Sequence, residues 1–325
     1  MHLHKTHTNM KKFFVAAALA FLCSAGLAQD KEWAVVNFSS NFMREDPGYA
    51  AENGNQALMG TVVKVVDKKS YWYKIISPEP YTAWCTGSGL VFMTEEEKDA
   101  YIAAPKFICT AEFTHMYSEP SANSDRITDL TAGDLLLKKD ARKGCWQQVA
   151  LPSGKTGWVE KKAVEDFQTW AETRTLTGDS IVEMAKTCMG VPYLWGGTTL
   201  KHMDCSGFSR TIYFLHGILL PRNASQQAKV GVEVPSLEEA LPGDLIFYGS
   251  KAEGSKPERV THVTIYMGGG EIIHSASYVH RSSIIPGTDN FYDGTRLHIR
   301  RILGNQDNGT GIISTRKSPY YFPQQ

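Results

Sequence analysis

In Asp204-Cys205-Ser206-Gly207-Phe208 a single cysteine stands between an acid and a pair of small residues. The preceding run, Val191-Pro192-Tyr193-Leu194-Trp195-Gly196-Gly197, is turn-forming. Behind the cysteine, Phe208, Ile212, Leu215 and Leu219 recur at helical spacing. The pattern predicts a helix that runs as far as Leu219, with Cys205 near its first turn. The positive end of a helix dipole favours thiolate over thiol, and the thiolate is the nucleophile. With a histidine base supplied elsewhere, this is the start of a cysteine hydrolase.

Two histidines offer themselves. His262 lies in Arg259-Val260-Thr261-His262-Val263-Thr264-Ile265-Tyr266-Met267-Gly268, where Val260, Val263, Ile265 and Met267 describe a strand. His274 lies in Glu271-Ile272-Ile273-His274-Ser275-Ala276, the next strand after the turn Gly268-Gly269-Gly270. A hairpin brings them onto neighbouring strands, and the register at the glycine turn decides whether their rings share a face. Cysteine with two histidines is also a zinc ligand set, but no helical H-E-x-x-H or dedicated acid accompanies it, and no C-x-x-C pair occurs. Neither metal nor cofactor is expected. His202, His216, His280 and His298 lack comparable context and read as surface or structural residues. Asp244, after Pro242-Gly243, reads as a turn cap. Cys188, on the apolar face of a helix over 179–189, reads as core.

The chain has 325 residues, with 34 basic side chains against 34 acidic ones. That balance offers no broad attraction for nucleic acid or anionic lipid, and the length suggests two or three compact units. At the N-terminus Lys11-Lys12 precede the apolar run Phe13 to Leu22, followed by Gly26-Leu27-Ala28. This is the pattern of a secretory signal peptide over 1–28 with cleavage after Ala28, its apolar run too short to span a bilayer. The mature chain is therefore expected outside the cytoplasm, periplasmic or extracellular, with no membrane span. Large Leu22 argues against a lipid on Cys23. Cys85, Cys109, Cys145, Cys188 and Cys205 remain, an odd number that leaves at least one thiol free or paired between chains. Cys109 with Cys145 is one conceivable pair.

Between Trp33 and Trp170 the sequence reads as short strands and turns, and as one unit used twice. Met43-Arg44-Glu45-Asp46-Pro47, Gln56-Ala57-Leu58-Met59-Gly60, Tyr71-Trp72-Tyr73 and Tyr81-Thr82-Ala83-Trp84 are followed by a similar series. That series is Met116-Tyr117-Ser118-Glu119-Pro120, Leu130-Thr131-Ala132-Gly133, Cys145-Trp146-Gln147-Gln148-Val149 and Lys155-Thr156-Gly157-Trp158-Val159. Two small barrels on one plan are expected, with a strand over 130–138 and a short helix over 94–103. Such barrels are near the minimum size for independent stability and should dock on a larger partner. From Thr177 onward helices come first, then strands at 244–248, 262–267, 271–275 and 297–302, which makes an α+β domain. The tail from Gly304 is polar and is expected to be only partly ordered.

The barrels resemble bacterial SH3-like domains, whose closing signature is Gly-Trp-Val or a close variant. The C-terminal region resembles the NlpC/P60 family of papain-like cysteine peptidases. The matching pieces are Tyr193-Leu194-Trp195-Gly196-Gly197, Asp204-Cys205-Ser206-Gly207-Phe208, Leu220-Pro221-Arg222-Asn223-Ala224-Ser225-Gln226-Gln227, Leu241-Pro242-Gly243-Asp244-Leu245-Ile246-Phe247, His262-Val263-Thr264-Ile265-Tyr266 and Ile273-His274-Ser275-Ala276. The division expected is 30–103 and 104–168 for the barrels and 172–325 for the peptidase domain. The resemblance implies Cys205 as nucleophile, His262 as general base and acid, and His274 as the group that orients His262. It also implies an oxyanion met by the Cys205 backbone N–H.

The order of domains is similar to that of γ-D-glutamyl-L-diamino acid endopeptidases, in which the first barrel closes one end of the cleft. By that likeness Asp204 and Glu52 would hold the ammonium of a free N-terminal L-Ala, Tyr81 would face it, and Ser206, Ser225 and Tyr193 would bind substrate. The implied partner is a peptidoglycan stem peptide, cut between γ-D-Glu and diaminopimelate or Lys. An amidase or acyltransferase on the same fold and a non-catalytic wall-binding module are the alternatives, since thiolate, imidazole and oxyanion donors serve acyl transfer equally.

Overall fold

The protein is described from a computed structural model, covering residues 31–324. The signal peptide expected over 1–28, with Cys23, lies outside the described residues. The first barrel is built from β1 (Trp33–Val36), β2 (Ser40–Arg44), β3 (Asn53–Leu58), β4 (Val62–Lys69), β5 (Trp72–Ile76), β6 (Thr82–Thr86) and β7 (Leu90–Met93). Its strand order is β3-β2-β6-β5-β4-β1-β7. Helix α1 (Glu95–Ala103) follows, closed at its start by a Thr94–Glu97 capping box. The second barrel comprises β8 (Lys106–Cys109), β9 (Phe113–Tyr117), β10 (Arg126–Thr131), β11 (Leu135–Lys143), β12 (Trp146–Ala150), β13 (Thr156–Glu160) and β14 (Val164–Asp166). Its order, β10-β9-β13-β12-β11-β8-β14, repeats that of the first strand for strand. The strand expected over 130–138 is two strands, because Gly133 at φ +96° turns the chain between them.

Helices α2 (Phe167–Thr173) and α3 (Gly178–Thr187) lead to the short ribbon β15 (Thr198–Thr199) and β16 (His202–Met203), then α4 (Cys205–Phe214), β17 (Ile218–Leu219) and α5 (Ala224–Gln227). A six-stranded sheet contains β18 (Val232–Glu233), β19 (Leu245–Ser250), β20 (Arg259–Gly268), β21 (Glu271–Ala276), β22 (Tyr278–Ser283) and β23 (Arg296–Arg301), in the order β18-β23-β19-β20-β21-β22. Phe208 and Ile212 of α4 share a core with Val263, Ile265 and Ile273 of that sheet. Among the described residues no helix is long and apolar enough to cross a membrane.

The helix that begins at Cys205 ends earlier than its apolar spacing predicts. Gly217, at φ +78°, breaks it, and Leu219 leaves the helix for β17, which pairs with β24 (Ile313–Ser314). The tail is correspondingly ordered: Tyr321 is 4 % exposed, in one apolar cluster with Leu58 of the first barrel, Leu135 of the second, Trp170 and Phe214. The tail's polar composition concealed these aromatic anchors. This shared core gives each small barrel the apolar burial it lacks alone. All five described cysteines are free, so Cys109 and Cys145 do not pair.

Polar contacts fix the first barrel against the turn before Cys205. Gln56 accepts from the Thr198 N–H at 2.9 Å and from the Thr198 hydroxyl at 3.0 Å, and Asn53 donates to the Trp195 carbonyl at 3.1 Å. Glu79 of the same barrel meets Arg210 of α4 at 2.8 Å, both largely buried, and Asn55 donates to Glu79 at 2.9 Å. Removing one partner of a buried pair strands the other charge, so Arg210→Ala should lower the unfolding free energy by roughly 3–5 kcal/mol. Urea denaturation tests this; a loss below about 1 kcal/mol, typical of an exposed pair, would show that solvent reaches Glu79.

Candidate active site

Asp204 is the N-cap of α4 and organises the surroundings of Cys205. One carboxylate oxygen accepts from the Gly207 N–H at 2.7 Å, the Ser206 hydroxyl at 3.2 Å and Arg222 Nη1 at 3.2 Å. The other accepts from the Gly196 N–H at 2.9 Å and Arg222 Nη2 at 2.5 Å. Arg222 is itself 2 % exposed and also donates to Ser206 Oγ at 2.9 Å. Gly207 is required by close approach, since a Cβ there would lie 1.9 Å from the Gly197 carbonyl oxygen. The small residue after Cys205-Ser206 thus lets α4 press against the preceding turn.

Cys205 is 7 % exposed. Burial, reinforced by the Asp204 charge, pushes its thiol up to about 11; backbone N–H groups of Val263 and Ser206 and the Arg222 guanidinium pull in the opposite direction. The expected preference for thiolate at a helix start is therefore outweighed, because desolvation disfavours the charged form and the cap residue is an anion. The Val263 N–H at the sulfur brings β20 directly to the nucleophile, one residue from His262.

The glycine turn sets the histidine register. Gly268, Gly269 and Gly270 all have positive φ, and Ile265 pairs with Ile273 and Tyr266 with Ile272, so His262 and His274 are diagonal neighbours on one face. His262 Nε2 lies 2.7 Å from His274 Nδ1, and His274 Nε2 lies 3.0 Å from the Ser282 hydroxyl. Tyr292 packs on both rings, with centroids 5.5 and 5.1 Å away. Burial holds His262 down to about 4 and His274 to about 3, with neighbouring imidazoles adding to the effect. Burial thus disfavours the charged forms of the Cys205 thiol and of both imidazoles alike. His262 Nδ1 is the ring nitrogen left outside the contact with His274. For His262 Nε2–H to donate to His274 Nδ1, His274 must carry its own proton on Nε2, facing Ser282.

A cleft of about 940 Å³ opens beside Cys205. Asp204, Cys205, Ser206, Ser225, Glu52 and Tyr81 all line it. Burial, then Asp204 and Cys205, raises the Tyr193 phenol, which places Tyr193 within electrostatic reach of both. Tyr81 donates to Glu45, and burial and that bond raise its phenol. Sequence reasoning did not single out Glu45, Arg222, Ser282 or Tyr292. Arg222 stood inside a quoted motif, and its arginine before a short helix was the available signal. Ser282 lies on the edge strand β22, whose polar residues gave no strand pattern. Of the histidines read as surface or structural, His298 lines the cleft, and His280 packs on His274 at 4.5 Å between centroids. Asp244 does cap its turn, accepting from the Leu241 N–H at 2.8 Å, and Arg301 pairs with it at 2.7 Å. Burial pushes Cys188 up to about 12, as for a core thiol.

A buried cysteine at a helix start, a histidine pair on the facing sheet and an α+β framework define a cysteine hydrolase of papain-like fold. Residues 190–301 match the NlpC/P60 family, and residues 39–91 match the bacterial SH3 domain. The chain is 32 % identical to a gamma-D-glutamyl-L-lysine dipeptidyl-peptidase of Bacillus cereus, covering 75 % of this chain and 74 % of that one. It is 36 % identical to the enzyme so named in Bacillus subtilis, over 76 % of this chain and 80 % of that one. A crystal structure of an NlpC/P60 family protein from Bacillus cereus superposes with a TM-score of 0.71 at 25 % identity, covering 83 % of this chain and 99 % of that one. This chain belongs to the NlpC/P60 family.

The burial of Cys205 and His262 makes a direct prediction. Alkylation of Cys205 by iodoacetamide, followed by peptide mapping, should rise with pH toward 11 and show no acid-side plateau. A plateau extending down to pH 4–5 would indicate a preformed thiolate–imidazolium pair instead. Ser282→Ala should lower turnover roughly tenfold, a fraction of the 10²–10⁴ that a general base supplies. Ring ¹⁵N shifts should report loss of the Nε2–H tautomer at His274, and Ser282→Thr should restore both.

Proposed function

We propose that this protein is a cysteine endopeptidase exported to act on the bacterial cell wall, and that it cuts between γ-D-Glu and the diamino acid of peptidoglycan stem peptides with a free N-terminal L-Ala. The observation that carries this reading is the pairing of Cys205 and its histidine relay with a cleft wall of acids from the first barrel. Glu45 and Glu52 line that wall without a cationic partner among the described residues. The charge of Asp204 is already matched by Arg222. The substrate ammonium accordingly goes to Glu45 and Glu52, beside Tyr81, with Asp204 behind them holding Arg222 and the nucleophile helix. A desolvated ammonium needs such acceptors to offset its burial.

His262 Nδ1 takes the Cys205 proton as the sulfur attacks the γ-carbonyl carbon of D-Glu. Gly207 and Phe208 donate their N–H groups to Asp204, which leaves the Cys205 N–H to meet the oxyanion. His262 returns the proton to the departing amine of the diamino acid, and the C–N bond breaks. Water then attacks the thioester, gives its proton to His262 and releases L-Ala-γ-D-Glu, and the imidazole reprotonates the sulfur. His274, held by Ser282, keeps the His262 ring aligned and shares the positive charge it acquires.

Two substrates and one variant test this. Free-amine L-Ala-γ-D-Glu-diamino acid peptide should be cleaved and its N-acetyl form resisted, with fragments identified by mass spectrometry. Equal rates on both would remove the amine gate. Cys205→Ala should abolish turnover while peptide binding persists; retained function in that variant would favour a wall-binding role, and a new acyl product in place of hydrolysis would favour acyl transfer.

A further inference from the structure

The cleft has a second wall, basic where the first is acidic. Lys229, two residues beyond α5, and Arg259, which opens β20, line it with Glu258, His298 and Arg300. Three of these five neutralise or engage a neighbour: His298 Nε2 lies 2.6 Å from Glu258, and Arg300 lies 3.2 Å from Glu233. Lys229 and Arg259 are exposed to the cleft and have no side-chain partner among the described residues.

Strand register places this wall relative to the chemistry. Val263, whose N–H meets the Cys205 sulfur, pairs with Phe247, and Phe247 pairs with His298. Directly opposed residues share a face of the sheet. His298 is therefore about 10 Å, or two strand spacings, from the backbone that touches the nucleophile. That is within reach of one peptide residue. Arg259 lies closer in sequence to the reaction, three residues before His262 on the same strand.

We propose that Lys229 and Arg259 form a carboxylate-binding site for a free acid group on the peptide residue at the scissile bond. The proposal rests on the endopeptidase reading above and extends it to the anionic part of the substrate. A γ-linked D-Glu keeps its α-carboxylate free, and diaminopimelate carries a side-chain carboxylate that lysine lacks. The cleft thus presents acids to the one ammonium at the peptide's start and cations to the carboxylates that follow. Arg300 and His298 are committed to Glu233 and Glu258, so the two unpaired cations supply the binding charge. Because both are exposed, their contribution is subject to salt screening.

Four peptides, all with the α-carboxyl of the diamino acid amidated, separate the two sources of the carboxylate: L-Ala-γ-D-Glu followed by diaminopimelate or by L-Lys, each also with the D-Glu α-carboxylate amidated. Steady-state kinetics would be compared for the full chain, for Lys229→Ala/Arg259→Ala and for Arg259→Lys. The double variant should raise KM about tenfold for the peptide bearing the recognised carboxylate, the scale of a lost charge-assisted hydrogen bond, with a smaller change in kcat. The peptide lacking that group should show little further loss, and Arg259→Lys should keep part of the discrimination. If amidation removes the variant's effect, the α-carboxylate of D-Glu is the ligand; if lysine for diaminopimelate removes it, the diamino acid carboxylate is. Equal changes on all four peptides, or none, would overturn the basic wall while leaving the endopeptidase reading intact. Wild-type failure to cut any of the four would overturn that underlying reading.

Discussion

The surroundings of Cys205 depend on one buried ion pair, Asp204 with Arg222. The aspartate caps α4, ties down the Gly196 turn and holds Ser206, while the guanidinium reaches it from the segment before α5. A carboxylate removed from water costs several kcal/mol unless its lone pairs are filled, and five hydrogen bonds fill them here. The result is a rigid junction of three segments, with Cys205 next to it. Position, more than stability, is what this arrangement secures. The same junction receives the first barrel, because Asn53 and Gln56 bond the turn that Asp204 anchors.

The electrostatics of the reacting groups follow from this crowding. An anion at the helix cap and nearly complete burial make the Cys205 thiol reluctant to ionise, and burial likewise keeps His262 and His274 neutral. In the reaction proposed above, proton transfer from sulfur to imidazole accordingly accompanies attack instead of preceding it. On the proposed roles, a substrate whose carbonyl aligns on the Cys205 N–H completes the stabilisation of both charges as they develop. The two walls of the cleft fit this division of labour: acids from a barrel outside the peptidase domain on one side, cations from the peptidase domain itself on the other.

Much of this was legible in the sequence because it is local. The cysteine after a turn, the strand pattern around His262 and the repeated barrel unit all reflect short-range periodicity and turn chemistry. Where local pattern failed, a distant contact was the cause. The apolar spacing that carried α4 on to Leu219 belonged partly to a strand whose partner is almost a hundred residues away. The polar tail hid Tyr321, buried against three other segments. Ser282 sits on an edge strand with little apolar character, yet it ends the hydrogen-bond relay that begins at His262. Glu45 and Glu52 flank one loop, but only the docked barrel puts them on the cleft.

The sequence by itself determined the chemistry: a cysteine at a helix start, two strand histidines across a glycine turn, and two barrels ahead of them. Those features arise from backbone propensities and spacing, which any short segment carries with it. Tertiary structure alone decided the register that joins the histidine rings, the burial that disfavours charge on the thiol and both imidazoles, and the acid and basic walls of the cleft. Each of these depends on which groups share a desolvated space, and that is set by contacts between residues far apart in the chain.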